Sequence, residues 1–572
     1  MQKHKKRISI LTKSEINELY QTPSFNPVER AEFFSLDIEL KKEVDKIINI
    51  ESRVYLILII GYFRYKPVLP ELTSKNVKGD VKYIIQTYYK NESTNINLNI
   101  PKSTKSRLVK RMLYTLGFEQ LTPSIKCELS ERLNDVATIC MEPKYIFDEL
   151  LAFLGQRRIA LPGYSTVQKL VSEALNFERK RTVNCIFGNG ANYGVHRMAS
   201  ASDRSIGILR DVNDKFIRPD TTGIANTVVS DAIANLSVYK YWTINEESPF
   251  GSVDGQKHTC RINTFKARFS AKYFRKGKGV SAMTLVSNHV PLATVVISPN
   301  EYEGHFAFDL LYNNTSEIQP KSLATDNHGV NNVNFAILDI FGYQFSPRYA
   351  KFKKVFNELF EVILEDDQLI IRLKKQFNIK LIAQEWENIQ HIICSLSRKT
   401  TVQSTVVKKL SNAKRSGKTL AALREYDRII KCIYVLDYAD NKTLRQFVQQ
   451  ALNRGEAYHQ LRRAIASVNG NQFRGGDDYQ IDQWNDCARL IANCVIYYNS
   501  AILSGLVDKF EKENNKKAID VLANLSPVAW RHILLGGNYS FEDQVAITNL
   551  DSLLEGVDPL SDEDDMEYEK NN

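Results

Sequence analysis

The chain has 572 residues, enough for three or four domains at roughly 100–200 residues each. A composition of 43% apolar and 10% aromatic residues can fill large cores and excludes a disordered, collagen-like or low-complexity protein. The net charge of +10 is unevenly placed: residues 555–572 hold eight acids and one lysine, a net −7, which leaves +17 on the body and points to a polyanionic partner.

Met1-Gln-Lys-His-Lys-Lys-Arg7 is basic, but no apolar region follows it as in an export signal. The longest apolar run, ten residues at 54–63 between Arg53 and Arg64, is too short to span a bilayer, so no membrane partner is expected. Residues 1–184 read as a helical domain, with Val109, Met112, Leu113 and Leu116 three and four apart. Its basic residues cluster. Lys102, Lys105, Arg107, Lys110 and Arg111 fall within one helix length, and Arg157-Arg158 precedes Leu161-Pro-Gly163. Such clusters are either solvated helix faces or contacts to DNA phosphates. Residues 185–250 continue as a helical segment. There Phe187-Gly-Asn-Gly-Ala-Asn-Tyr-Gly194 has the spacing GxGxxxG, with no β-branched strand before it and no ribose-reading acid after it. It reads as a loop before a helix, not as a dinucleotide site.

Between 251 and 345 the texture changes. Met283-Thr-Leu-Val286, Ala293-Thr-Val-Val-Ile297 and Ser322-Leu-Ala-Thr325 are short β-branched or apolar runs bounded by Asn, Pro and Gly, as strands are. Residues 346–440 return to helical patterns rich in Lys and Arg. Here Lys414-Arg-Ser-Gly417-Lys418-Thr419 ends like a phosphate-binding loop. The signature's first glycine is replaced by Asn412 and no strand leads in, which excludes an ATPase of that class. The clearest helix of the chain, 444–468, opens the region 441–554. The acidic end, 555–572, offers almost no apolar surface to bury and is expected to be disordered. The eight cysteines are dispersed without any CxxC, which argues against a zinc site or a disulfide scaffold and fits a reducing cytoplasm.

Three acids suggest chemistry. Asp254 follows the strand-like Pro249-Phe-Gly-Ser-Val253, and Asp326 ends Ser322-Leu-Ala-Thr325 and leads into Asn327-His328-Gly329. Glu456 lies on the 444–468 helix, roughly 140° from its apolar stripe of Leu444, Phe447, Val448, Ala451 and Ile465. Two acids at strand ends and one on a later helix suit a two-metal phosphoryl-transfer site, whose hard oxygen ligands hold two Mg²⁺ ions about 4 Å apart. With 66 acids in the chain, spacing alone does not single out this triple. Between the first two acids lie Arg261, Lys266, Arg268, Lys272, Arg275, Lys276 and Lys278, with no acid among them and with Phe265, Phe269, Tyr273 and Phe274 interleaved. Basic groups neutralise phosphates while aromatic faces stack on bases; the alternative is a basic hairpin whose aromatics face the core.

At these residues the sequence resembles the replicative transposases of the Tn-three family. Ser252-Val-Asp254-Gly-Gln256 resembles the family's first-aspartate block, and Lys272-Tyr-Phe-Arg-Lys-Gly-Lys-Gly-Val280 the basic segment after it. Ala324-Thr-Asp326-Asn-His-Gly329 through Phe341-Gly-Tyr-Gln-Phe-Ser-Pro-Arg348 resembles the second-aspartate block. Leu452-Asn-Arg-Gly-Glu456-Ala resembles the glutamate block, and Leu525-Ser-Pro-Val-Ala-Trp530-Arg-His532 the C-terminal signature. Ile10-Leu-Thr-Lys-Ser-Glu15 is similar to the start of the family's DNA-binding region; Arg157-Arg-Ile-Ala-Leu-Pro-Gly163 and Ala174-Leu-Asn-Phe-Glu-Arg-Lys-Arg181 are similar to its end. Family members usually carry several hundred more residues between that region and the catalytic part.

The resemblance implies a multidomain α + α/β protein. Its parts would be a helical N-terminal DNA-binding domain (1–184), a helical pre-catalytic segment (185–250), and an RNase H-like core in two parts (251–345 and 441–554). A helical insertion (346–440) would interrupt the core, and the acidic tail would follow it. Asp254, Asp326 and Glu456 would form a DDE triad holding Mg²⁺, with Mn²⁺ able to substitute, and Gln256 and His328 would orient ligands or DNA. The implied activity is binding of transposon terminal inverted repeats, nicking of the 3′ ends and joining to target DNA. It would be carried out by a homodimer on DNA in the bacterial cytoplasm, associated with the nucleoid. The alternative is an internally deleted, non-catalytic derivative that occupies transposon ends and inhibits transposition.

Overall fold

The computed structural model describes residues 8–535 apart from 70, 71, 73–76, 91, 93–97, 99, 203, 327, 328, 366, 367, 401 and 414–416. The acidic end, His328 and residues 414–416 of the phosphate-loop-like stretch therefore lie outside the described residues. The chain forms two compact units, dividing between Arg181 and Thr182.

The first unit is helical, from Lys13–Tyr20 onward. Its helix starts have local causes: Thr12 with Glu15, and Asn26 with Glu29, form capping boxes that satisfy backbone N–H groups of the first turn. The apolar run at 54–63 is the middle of the helix Ile50–Tyr65, and all ten of its residues are buried. A helix that is apolar all round needs neighbours on every side. It finds them in Phe25, Phe34, Leu40, Ile84 and Met112. The basic helix is Lys102–Leu116, closed by Gly117 in the left-handed conformation at φ 69°.

In the second unit, nine short strands are described: β1 Phe250–Cys260, β2 Arg268–Phe269, β3 Lys278–Ser287, β4 Val290–Ile297, β5 Ser322–Thr325, β6 Gln344–Phe345, β7 Phe360–Glu365, β8 Gln368–Leu373 and β9 Gln472–Phe473. The main sheet runs β2-β3-β1-β5-β6, with β4 also on β3 and β9 on β1. β1, β3 and β4 are antiparallel, whereas β5 and β6 continue from β1 in parallel. β3 is the hydrophobic centre, with Val280, Ala282, Met283, Leu285 and Val286 buried, as a strand covered on both faces requires. The protein is thus a mostly helical, multidomain α + α/β chain built around a mixed sheet.

The helices that matter for the site are Lys442–Ala466, lying against β1 and β3, and Asp478–Lys512, packed on β4 and on Pro219–Ala234. By length and composition the 35-residue Asp478–Lys512 could cross a membrane. Its Trp484, Cys487, Ala488, Ala492 and Ile496 are instead buried in the core of this unit. The stretch 346–440 is not purely helical as expected, because β7 and β8 form a separate antiparallel hairpin within it. The alternation of Phe360, Val362 and Leu364 with Glu361 and Glu365 is a strand period lying between helical ones.

The glycine-rich stretch also differs from its expected loop. Residues up to Gly190 are the end of the helix Tyr164–Gly190, and Gly194 opens the next, Gly194–Ala201. A Cβ on Gly190 would lie 2.6 Å from Ile491 and 2.9 Å from the backbone at Ala488. Here glycine permits close helix packing, not approach of a phosphate.

Candidate active site

The two aspartates are placed by strand register. Val253 on β1 pairs with Thr325 on β5 in parallel, and each is followed by an acid, Asp254 and Asp326. The ladder ends at that pair and each acid is the next residue along the chain; Asp326 is near enough to raise the Asp254 pKa but lies outside the group of ligand atoms formed by Asp254, Glu456 and His459. β5 ends there, while β1 continues along β3 to Cys260. The second aspartate thus sits where the sheet opens.

Glu456 comes from the helix Lys442–Ala466. The helix approaches β1 at Gly455, where a Cβ would lie 2.8 Å from Ser252 Oγ. Two buried arginines fix this helix: Arg454 donates to the Asn288 side chain at 3.0 Å and to the carbonyl of Trp242, and Arg462 donates to Asn485 and lies over Trp484. One turn after Glu456, His459 is 3% exposed. Its Nδ1 is 3.7 Å from Asp254 and 3.9 Å from Glu456, and ligand atoms of all three residues lie within 4.8 Å of one another. Burial, then Arg462, Arg463 and Lys257, push the His459 pKa down to about 3, so its imidazole is neutral at ordinary pH. Burial raises Asp254 to about 7; its hydrogen bond from the Gly255 N–H opposes the shift, and Glu303 and Asp326 add to it.

Glu303 and His459 are the residues that sequence reasoning missed. The Glu303 carboxylate pairs with Lys257 and accepts a 3.0 Å hydrogen bond from Ser281. Lys257 also lies 4.7 Å from the Tyr273 ring, which Lys272 approaches at the same distance. Asn331 and Asn334 hold the Glu303 segment to the loop after Asp326 by donating to the Gly304 carbonyl at 3.2 and 2.9 Å. His459 was findable at three residues from Glu456 on one helix face. Glu303 left no signal in the sequence.

The structure sorts the basic residues. Arg261, Arg268, Lys272, Arg275 and Lys276 are exposed and Lys278 is half-buried, with Phe265, Phe269 and Tyr273 exposed among them. Lys266 instead pairs with Asp482 at 2.6 Å and is already neutralised within the protein. In the first unit Lys102, Arg107 and Lys110 are exposed. Lys105 lies 5.7 Å from the Tyr55 ring, and Arg111 pairs with Glu43 at 3.3 Å. Arg157 makes a two-pronged pair with Glu128 at 2.5 and 2.6 Å, while Arg158 is exposed near Phe118. Gln256 bridges β1 to the glutamate helix, donating to the His459 carbonyl at 2.7 Å. The C-terminal block docks on Asp478–Lys512 through Asn499, which donates to the carbonyls of Pro527 and Ala529 and accepts from His532.

Residues 168–539 match the Tn3 transposase DDE domain, and residues 10–174 match a domain of unknown function, DUF4158. The chain belongs to the family of Tn3 transposase DDE-domain proteins. It is 26% identical over 372 residues to the transposase for transposon Tn1546 of Enterococcus faecium, covering 64% of this chain and 37% of that protein. The transposase for transposon gamma-delta of Escherichia coli (strain K12) is 25% identical over 342 residues, covering 58% of this chain and 33% of the relative. For the transposase for transposon Tn2501 of Escherichia coli the identity is 25% over 378 residues, covering 63% and 36%. The match thus spans about a third of the length of these relatives.

Proposed function

We propose that the chain is a DNA transposase that nicks 3′ transposon ends and joins them to target DNA. The observation that carries this reading is the convergence of Asp254 and Glu456, with Asp326 following the residue that pairs with Val253, in a chain of the Tn3 DDE family. The sheet path, antiparallel through β4, β3 and β1 and then parallel through β5 and β6, supports an RNase H-like core. The split between Arg181 and Thr182 supports a separate N-terminal DNA-binding domain, and the helices and hairpin of 346–440 support an insertion before the glutamate.

The donor set fits a divalent cation such as Mg²⁺. Burial and neighbouring carboxylates raise the proton affinity of Asp254, as happens where acids are gathered for a cation. Asp254, Asp326 and Glu456 would hold the metal, and His459 stands close enough to join them. Divalent ions, when bound, supply Lewis acidity at the phosphate and lower the pKa of the attacking hydroxyl. Around that centre Lys272, Arg275 and Lys276 offer charge for the phosphodiester backbone, and the exposed Phe265 and Phe269 offer faces for unstacked bases. Terminal repeats, target DNA, a homodimer on DNA and a place at the bacterial nucleoid belong to the same proposal.

The match at 10–174 runs directly into the DDE-domain match at 168–539, which favours one rival: an internally deleted, non-catalytic derivative that occupies transposon ends and inhibits transposition. Incubation with labelled terminal-repeat DNA and Mg²⁺ or Mn²⁺, scored separately for binding and nicking, decides between them. Nicking lost in Asp254→Asn supports the enzyme. Binding without nicking under either metal supports the derivative.

A further inference from the structure

The same unit has a cavity whose lining includes none of Asp254, Asp326 and Glu456. The cavity, of about 490 Å³, is lined by the glycine-rich stretch together with β9 and the start of Asp478–Lys512. That volume falls within the range of small-molecule sites, roughly 300–1,000 Å³. Three amide side chains in its wall are buried and held in one orientation. Asn192 donates to the carbonyls of Gly470 and Gln472, Gln483 donates to that of Ile217, and Asn213 accepts from Asn189 at 2.7 Å. These bonds use the NH₂ groups of Asn192 and Gln483 and leave their carbonyl oxygens as fixed acceptors, matched to the amino groups and ring N–H of a base edge.

Tyr193, Phe473 and Tyr479 also line the cavity; the Phe473 ring packs on Trp484, with centroids 4.7 Å apart, and Tyr479 is 45% exposed. Arg210 and Arg474 are exposed beside them, and neither forms an ion pair among the described residues. Two carboxylates share the wall. Asp214 accepts from Asn213 at 3.4 Å, and Asp477 accepts from the Gln480 N–H as a helix cap. The donor, acceptor and stacking groups are those that hold one nucleotide, base inward and phosphate at the guanidinium groups. We propose that this cavity takes a single unpaired purine nucleotide.

Its source is suggested by the chain path. Phe473 pairs with Cys260 on β1, and its carbonyl accepts the Arg261 N–H at 2.8 Å. Arg261 is the first residue of the exposed basic and aromatic segment, so a DNA strand on that segment would lead to the cavity mouth. An extrahelical base of DNA is the favoured occupant, and a free nucleotide has the same chemistry. The inference does not depend on the acids being catalytic.

The test compares the affinity of the full chain for a short duplex with one extrahelical purine and for the same duplex fully paired, with dGMP alone as a separate arm. The wild type should prefer the extrahelical duplex by about 5- to 150-fold, the range for stacking one base on an aromatic ring. Tyr479→Ala and Arg474→Ala change exposed side chains, so the fold should persist, which a melting curve checks. Both should bring the preference close to one, while Tyr479→Phe keeps it. Binding of dGMP that these variants lose, without preference for the extrahelical duplex, supports the cavity and assigns it a free nucleotide. Equal binding of both duplexes with no dGMP binding overturns the proposal, as does a preference that survives both alanine variants.

Discussion

The carboxylate of Glu303 occupies the space that a Cβ on Gly255 would fill. Glycine directly after Asp254 therefore lets a further acid, with its Lys257 partner, lie against the strand that bears the first aspartate. Gly255→Ala should push Glu303 and Lys257 away from β1. Overpacking of this kind costs about 1–3 kcal/mol, so the expected result is a lowered Tm with a larger proportional loss of nicking than of DNA binding. A fully active Gly255→Ala protein would show that the Glu303–Lys257 pair has no part in positioning.

Replacing any one of Asp254, Asp326 or Glu456 by its amide should abolish nicking and leave DNA affinity within a factor of about two, because a lost carboxylate removes a metal ligand but no phosphate contact. Nicking and gel-shift titrations on the same preparations measure the two effects. Substantial nicking by Asp326→Asn would remove Asp326 from the triad.

Salt dependence separates exposed from internally paired basic residues. Changing Lys272, Arg275, Lys276 and Lys278 together to Ala should lower the slope of log affinity against log salt by about 3–4 on duplex DNA, since each phosphate contact contributes roughly 0.9. Lys266→Ala and Arg157→Ala should leave that slope unchanged, because Asp482 and Glu128 already hold those charges. A slope that responds to Lys266 and not to the other four would reverse the assignment.

Asp427 offers a pH test away from the acids. It is buried, its Oδ1 accepts the Ala336 N–H at 3.1 Å, and burial raises its pKa to about 7. An acid with a raised folded-state pKa holds its proton more tightly when folded. Its contribution is therefore complete below about pH 4 and is lost as pH rises toward 7. Asp427→Asn keeps the acceptor for Ala336 and removes the titration, so the fall in Tm between pH 5 and pH 8 should be smaller than in the wild type. An unchanged pH profile would show that Asp427 ionises at its ordinary value.

What was legible in the sequence was what local pattern determines. The runs at 283–286, 293–297 and 322–325 are strands, and the helix carrying Glu456 begins and ends within two residues of its expected limits. Asp326 does follow the end of a strand and Glu456 leaves its helix's apolar stripe, but Asp254, expected at a strand end, lies within β1, so it was the family resemblance and not the pattern that marked the three acids. Partnerships between distant segments were not legible. Nothing in Lys266 or Arg157 announces Asp482 or Glu128, 216 and 29 residues away, and Glu303 reaches the site through folding alone. The glycine-rich stretch misled for the same reason, since Gly190 answers to a helix some three hundred residues later.

The anchoring of the glutamate helix by Arg454 and Arg462 also bears on how the protein should fail when heated. Both guanidinium groups are buried and bonded to the carbonyl of Trp242 and to Asn485, so Glu456 has no hinge of its own. Releasing it means disrupting the same core that holds the sheet. Thermal inactivation should then coincide with cooperative melting of the second unit instead of preceding it. There should be no warm, folded and inactive state.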